Sequence, residues 1–414
     1  MALQIMPRPR YIARLNAWRG KNEIKVVMGP RRCGKSFLLK LFRKELLEVH
    51  GVPEDSVATF SLDRLELERL HDPRALHEAV LERCTPGRTT YVFIDEVQEC
   101  EGFEKVLSSL QGREGIDLYV TGSNAYMLSG ELATKLTGRY LPIKMLPLSF
   151  AEYRTAVADE GLSIEEDFDL YLKRGGFPAV VQDRRNALYT YAYFGMLEND
   201  LILKDVVPRY EVRDTQMLLK LARTLASGIG SATSAAKIAN TLTSAGRAAT
   251  AKTINAYLKG LTDCYLFLEA SRFDVRGREI LRTQSKYYLS DPGFRGYYND
   301  SAFPDLGHLL ENVVFLELKR RFERVNVGKN AEQEVDFVVN VDDRYAYIQV
   351  AWTVAAPETL ARELRAFNNI RDSYPRYLLT MDVIGKNRSI KGVMQLNVID
   401  WLLGKTELLD AASP

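Results

Sequence analysis

The sequence is short of the features that mark secreted, metal-stapled or membrane proteins. It has four cysteines in 414 residues. Cys33, Cys84, Cys100 and Cys264 share no C-x-x-C spacing, which excludes a zinc ribbon and a disulfide framework. No run of 18 apolar residues occurs, so no membrane-spanning helix is expected. The opening MALQIMPRPR lacks the basic-then-apolar order of a secretion signal, and the cytoplasm is the expected location. Charge of one sign is not in excess either: 56 basic and 54 acidic residues leave +2. That balance argues neither for nor against nucleic acid, because a basic patch can sit inside a neutral total.

Apolar residues are plentiful at 46%, beside an ordinary 27% charged. A domain per roughly 150 residues predicts two or three domains.

The strongest chemical signal lies near the start. Glu23 to Met28 (EIKVVM) reads as a short buried strand, and FLLKLFRKELLEV as a helix. Between them stand Gly29, Pro30, Arg31, Arg32, Cys33, Gly34, Lys35 and Ser36, a G-x-x-x-x-G-K-S loop in the strand–loop–helix setting that phosphate binding requires. The two glycines let backbone N–H groups turn toward phosphate oxygens, and the helix opening at Phe37 adds its positive end. Lys35 is expected to reach the β- and γ-phosphates of ATP, and the Ser36 hydroxyl to take a position on Mg²⁺.

Two further strands belong with that loop. Tyr91 to Ile94 runs apolar into Asp95 and Glu96. A carboxylate at such a tip suits the Mg²⁺ shell, the role expected of Asp95, and Glu96 is the expected general base. Asp117 to Thr121 ends in Gly122, Ser123 and Asn124, and either of the last two is placed to orient the attacking water. Ala125 to Leu136 reads as a helix leading to Arg139, which is either an arginine finger reaching a neighbouring subunit or a surface arginine in a turn.

GPRRCGKS, FIDEVQE, VTGSNAYML, LTGRY, LPLSFAEY and GGFPAVV in this order resemble a family of prokaryotic AAA-type ATPases that carry a C-terminal region of unknown function. The resemblance covers about residues 8 to 400 and implies an AAA+ core, a small helical lid, a winged-helix segment and a domain resembling the PD-(D/E)xK nucleases. It also puts Ser123 and Arg139 where sensor and finger residues stand.

The rest of the chain is read on its own terms. Helical patterns from 165 to 225 break at Gly175-Gly176-Phe177-Pro178. The cluster of Tyr189, Tyr191, Tyr193 and Phe194 reads as core packing. Two short helices near 234–244 and 249–262, then strands near 264–270 and 285–290, outline a winged helix. Lys252, Asn255 and Lys259 on its second helix, with Arg272, Arg276, Arg278 and Arg282 in the wing, suit phosphate contacts. A purely structural use of the same segment fits the pattern as well. Further on, a helix over Leu309 to Glu323 bearing Glu311, a strand bearing Asp336, and a strand bearing Gln349 follow the PD-(D/E)xK order. Gln349 replaces the second acid and Ala351 the lysine, so a degenerate site without an ammonium is expected.

The resulting expectation is an α/β protein: a P-loop AAA+ core over 1–150, a helical lid over 151–210, a winged-helix-like domain over 211–300, and a nuclease-like domain over 301–414. Its expected activity is ATP hydrolysis coupled to nucleic acid, above all structured or branched DNA, in a homo-oligomer. An ATP-driven switch on a protein partner and an ATP-dependent nuclease are the alternatives.

Overall fold

A computed structural model describes residues 6–122, 136, 138–158, 161–244, 249–299 and 305–409. The chain divides into two compact units, Met1–Met145 and Leu146–Ser413.

The first unit alternates helix and strand: α1 (Pro9–Ala17), β1 (Ile24–Met28), α2 (Lys35–Glu48), β2 (Val57–Ser61), α3 (Pro73–Glu82), β3 (Thr90–Asp95), α4 (Phe103–Leu110), β4 (Ile116–Gly122) and β5 (Tyr140–Lys144). The strands form one sheet in the order β2-β3-β4-β1-β5, with every neighbouring pair parallel. Every residue of β1 is buried, as a central parallel strand covered on both faces should be. Its one charged side chain, Lys25, is paired with buried Asp117 on β4. Phe42 of α2 packs on Phe93 and Tyr119, with ring centroids 6.2 and 5.1 Å away. Parallel pairing has one consequence for function: the C-terminal ends of β1, β3 and β4 share a single edge.

The second unit opens with helices. α5 (Phe150–Ala156) and α6 (Ile164–Arg174) each start with a capping box, Ser149 with Glu152 and Ser163 with Glu166. After the glycine break come α7 (Pro178–Gln182) and α8 (Ala187–Asn199), the latter continuing through a π segment to Arg209. Within α8, Tyr193 and Phe194 are buried while Tyr191 is 60% exposed, so the aromatic cluster is only half core. α9 (Thr215–Ser227), α10 (Ala235–Ser244) and α11 (Ala251–Asp263) precede the hairpin β6 (Phe267–Asp274) and β7 (Glu279–Leu289). The chain continues with α12 (Gly293–Tyr298), α13 (Leu306–Arg321), β8 (Arg324–Asn330), β9 (Gln333–Val341), β10 (Arg344–Ala351), α14 (Pro357–Arg365), β11 (Arg376–Thr380), β12 (Arg388–Ile390), β13 (Val393–Asn397) and α15 (Val398–Leu402).

The structure departs from the expected boundary at residue 300. The hairpin does not stand apart as a free wing, because β6 pairs in parallel with β8. One eight-stranded sheet results, in the order β12-β13-β11-β10-β9-β8-β6-β7. Phe273 and Val275 from the hairpin bury in the same core as Val335, Tyr347 and Leu378. Shared apolar burial is the physical reason these segments act as one body. The expected helical lid likewise falls within this unit.

A carboxylate fastens the glycine break. Gly176 N donates to Asp291 Oδ2 at 2.7 Å, and Gly293 N donates to Asp291 Oδ1 at 2.9 Å. A Cβ on Gly176 would stand 2.4 Å from the Leu148 carbonyl oxygen. Gly176→Ala should therefore lower the unfolding free energy of the second unit by about 3 kcal/mol. Urea denaturation followed by tyrosine fluorescence reads this, and an unchanged midpoint would show that the Leu148 backbone yields freely.

Candidate functional site

The loop at the end of β1 is set by local backbone chemistry. Gly29 approaches the Met145 backbone so closely that a Cβ there would lie 2.0 Å from the Met145 oxygen. Arg32 and Gly34 take positive φ, 65° and 104°, and curl the chain into the start of α2. Gly34, as the N-cap, offers no side chain to the first turn, so no side chain caps the amides there. Lys35 is buried and donates from Nζ to Gly29 O and Pro30 O, both at 3.1 Å. Its ammonium thus sits where the loop closes on itself. Cys33 lies beneath, fully buried, and burial raises its thiol pKa.

The tips of β3 and β4 complete the edge. Ser36 Oγ donates to Asp95 Oδ1 at 3.0 Å, and Thr121 Oγ1 donates to the same oxygen at 2.5 Å. Thr121 Oγ1 also accepts from Glu96 N at 2.9 Å. Burial pushes the Asp95 carboxyl up, against the hydrogen bonds from Thr121 and Ser36, which pull it down. Glu96 follows with a left-handed backbone, φ 52°, and its carboxylate accepts from the Gln98 amide. Sequence reasoning missed Thr121, which only the fold brings to Asp95, and Gln98, which lies two residues from Glu96 but carries no motif signal. The uncapped helix start, the inward ammonium and the hydroxyl–carboxylate pair of Ser36 and Asp95 fit a nucleotide phosphate with a hard cation such as Mg²⁺.

Arg139 is elsewhere. It directly precedes β5, and its O accepts from Ile24 N at 2.9 Å, at the opening end of β1. The loop follows the closing end of that strand, roughly 13 Å away at 3.3 Å per residue. The exposed Arg139 side chain donates to Ser108 Oγ at 3.0 Å. Ser123, Asn124 and all but the last residue of the expected helix over 125–136 lie outside the described residues.

In the second unit, Lys252, Asn255 and Lys259 stand exposed along one face of α11, while Ile254, Tyr257 and Leu261 pack inward. Of the arginines assigned to the wing, Arg276 is exposed in a turn that Asp274 caps. Arg272 lies within β6 and donates to Gln284 Oε1 at 3.1 Å. Arg278 is stacked over the rings of Tyr345 and Tyr374, 5.5 and 5.7 Å from their centroids. The side chain of Arg282 is outside the description.

Glu311, Asp336 and Gln349 come together, all buried, as their order along the chain predicts. Asp336 Oδ2 accepts from Val350 N at 2.8 Å, and Gln349 Oε1 accepts from Asp336 N at 3.2 Å. The expected absence of an ammonium is overturned. Lys286, from β7, places Nζ 3.0 Å from Glu311 Oε1 and 2.7 Å from Glu334 Oε1. No linear motif could have shown this, because Lys286 precedes the α13 helix and enters from the edge strand.

With this geometry in place, comparisons with known proteins become informative. A family model described as an AAA domain matches residues 21–154, and one described as a domain of unknown function (DUF8612) matches residues 165–302. An uncharacterized protein of Haemophilus influenzae is 34% identical over 406 residues, 97% of this chain and 100% of that one. The chain belongs to this family, whose first domain is an AAA-type P-loop ATPase domain. The uncharacterized protein MJ1544 of Methanocaldococcus jannaschii is 29% identical over 369 residues, covering 84% of this chain and 78% of its own. Among solved structures, the Walker-type ATPase PABY2304 of Pyrococcus abyssi superposes with a TM-score of 0.50 at 16% identity, over 71% of this chain and 95% of its own, a likeness of fold.

The Thr121 hydroxyl serves both carboxylate-bearing positions of the AAA unit. Thr121→Val should destabilise that unit by about 2 kcal/mol, since it leaves Glu96 N without its acceptor, whereas Thr121→Ser should be nearly neutral. Thermal unfolding of the three proteins side by side tests the pair, and equal losses in both variants would contradict it.

Proposed function

We propose that the protein hydrolyses ATP at residues 29–36 and couples hydrolysis to nucleic acid, with structured or branched DNA as the substrate class. The single observation that carries the ATPase reading is the convergence of Lys35, Ser36, Asp95 and Glu96 on one sheet edge. In this reading the amides of residues 31–36 and the Lys35 ammonium bind the β- and γ-phosphates. Phe37 continues that wall as α2 begins. Ser36 and Asp95 would hold Mg²⁺, which would supply positive charge at the phosphate oxygens. Glu96 accepts the proton of the attacking water, and the Gln98 amide, bonded to its Oε2, orients that carboxylate. Either Ser123 or Asn124 orients that water.

Arg139 supplies its guanidinium to a neighbouring copy, and the observation behind this is its seat at the opposite end of β1 from its own loop. The active form is then a homo-oligomer. Support for the nucleic-acid part is the exposed row Lys252, Asn255 and Lys259 with Arg276, set on helices and a hairpin in winged-helix order. An isolated bridge between Thr233 and Ser285 adds the short third strand of that arrangement. Arg272 and Arg278 are committed to protein partners and carry less of the reading. The α13–β8–β9–β10–α14–β11 order similarly supports a nuclease-like domain. A second reading, a nucleotide-driven switch on a protein partner, is favoured by exposed Leu188, Tyr191, Met196 and Leu203 along α8 and its continuation.

Glu96→Gln should bind ATP normally and lose about two orders of magnitude or more in turnover. Lys35→Ala should lose nucleotide binding, and normal affinity in that variant would sink the phosphate-site reading. Mixing Arg139→Ala with Glu96→Gln subunits should restore part of the activity that each lacks alone; no recovery at any ratio removes the finger in trans. Steady-state hydrolysis with single strand, duplex, fork, four-way junction and RNA, at low and physiological salt, separates the readings of the partner. Stimulation by one structure at physiological salt supports the DNA reading, and a flat response favours the protein switch.

A further inference from the structure

The acidic cluster of the second unit is built around an internal cation. Glu311 lies on α13, Glu334 and Asp336 on β9, and Lys286 reaches them from β7. Lys286, Glu311 and Asp336 are each more than nine-tenths buried, and Glu334 forms the half-open rim at 34% side-chain exposure. The ammonium is held at 3.0 Å by Glu311 Oε1 and at 2.7 Å by Glu334 Oε1. Tyr288 OH donates to the same Glu311 oxygen at 2.6 Å. The remaining positions are filled by protein as well: Asp336 accepts from Val350 N, and the Gln349 amide donates to Glu363 Oε2 at 2.9 Å. Arg362 in turn donates to Glu363 Oε1.

Buried carboxylates brought this close must be neutralised by protons or by a cation. Burial and the charge of Glu311 raise the Asp336 carboxyl well above the usual range, while Lys286 opposes the rise. Burial lowers the pKa of Lys286, yet Glu311, Asp336 and Glu334 together hold it above the ordinary lysine value. The lysine therefore remains charged where a divalent ion would otherwise balance the same groups. Among the described residues, no three His, Cys, Asp or Glu side chains are disposed to hold a metal. Two carboxylate oxygens nevertheless already converge on Nζ. A hard divalent ion would need each to close by less than about 1 Å, given ligand distances near 2.0–2.1 Å.

We propose that the Lys286 ammonium is the resident cation of the Glu311–Glu334–Asp336 cluster, standing where a divalent ion would bind, so that the second unit keeps this pocket closed without metal and gains a divalent-cation site when the lysine is removed. The proposal does not depend on the ATPase reading, since none of its residues belongs to the AAA unit. It also differs from the nuclease alternative, which needs the metal bound in the native chain.

The test uses the full chain without nucleotide, titrated with Mn²⁺ by electron paramagnetic resonance, with melting temperatures in EDTA and in excess Mn²⁺. The native protein should show no Mn²⁺ site that depends on Glu311. Lys286→Ala should gain one, and its melting temperature should rise by about 5 °C at a hundredfold excess over Kd. The double variant Lys286→Ala, Glu311→Gln should lose both effects, which separates this site from weak binding at Asp95. A native Mn²⁺ site abolished by Glu311→Gln would overturn the proposal, and so would a folded Lys286→Ala protein that gains none. Should Lys286→Ala fail to fold, Lys286→Met keeps the aliphatic stem and carries the same expectation, while the native titration stands as a test by itself.

Discussion

The Thr121 hydroxyl ties the ends of two strands to one another, and the candidate ATP site depends on that tie. By donating to Asp95 and accepting from Glu96 N, it holds the tip of β3 beside the tip of β4. Ser36 then attaches the start of α2 to the same carboxylate. Such an arrangement is available only because β1, β3 and β4 run parallel, so that their C-terminal ends meet. A buried carboxylate in that place would be costly to keep ionised were it not hydrogen-bonded by both hydroxyls. The result is an acidic corner on the same sheet edge as the loop that Lys35 closes.

Each functional group in the AAA unit is positioned by an element whose other end is anchored in the core. β1 is pinned by the Lys25–Asp117 pair and its apolar neighbours, and α2 by Phe42 on Phe93 and Tyr119. Arg139 follows from the same register. Because β5 starts level with the start of β1, the residue before it lies at the edge opposite the phosphate loop. That seat is the observation behind the proposed finger in trans.

The second unit is organised by sheet continuity rather than by separate modules. The β6–β7 hairpin contributes Phe273 and Val275 to the core beneath β9 and β10, and it delivers Lys286 to the acidic cluster. Tight anchoring also explains why two of the hairpin arginines have protein partners, with Arg278 over two tyrosines and Arg272 on Gln284. Among the described residues, the exposed side chains of Lys252, Asn255 and Lys259 on α11 have no such partner.

What the sequence determined by itself is what depends on neighbours along the chain. The candidate phosphate loop is such a feature, because strand, glycines, lysine and helix start follow one another directly between residues 24 and 36 and each acts on the next. Asp95 and Glu96 were legible for the same reason, as carboxylates ending an apolar strand, and so were Glu311, Asp336 and Gln349 in their order. Tertiary structure alone decided which distant groups complete these sites. Thr121 stands 26 residues from Asp95 and Lys286 stands 25 from Glu311, and no periodicity encodes such a meeting. The joining of the hairpin to β8 was hidden likewise, since a parallel pairing is fixed by shared burial across the sheet and leaves no turn between its strands to be read.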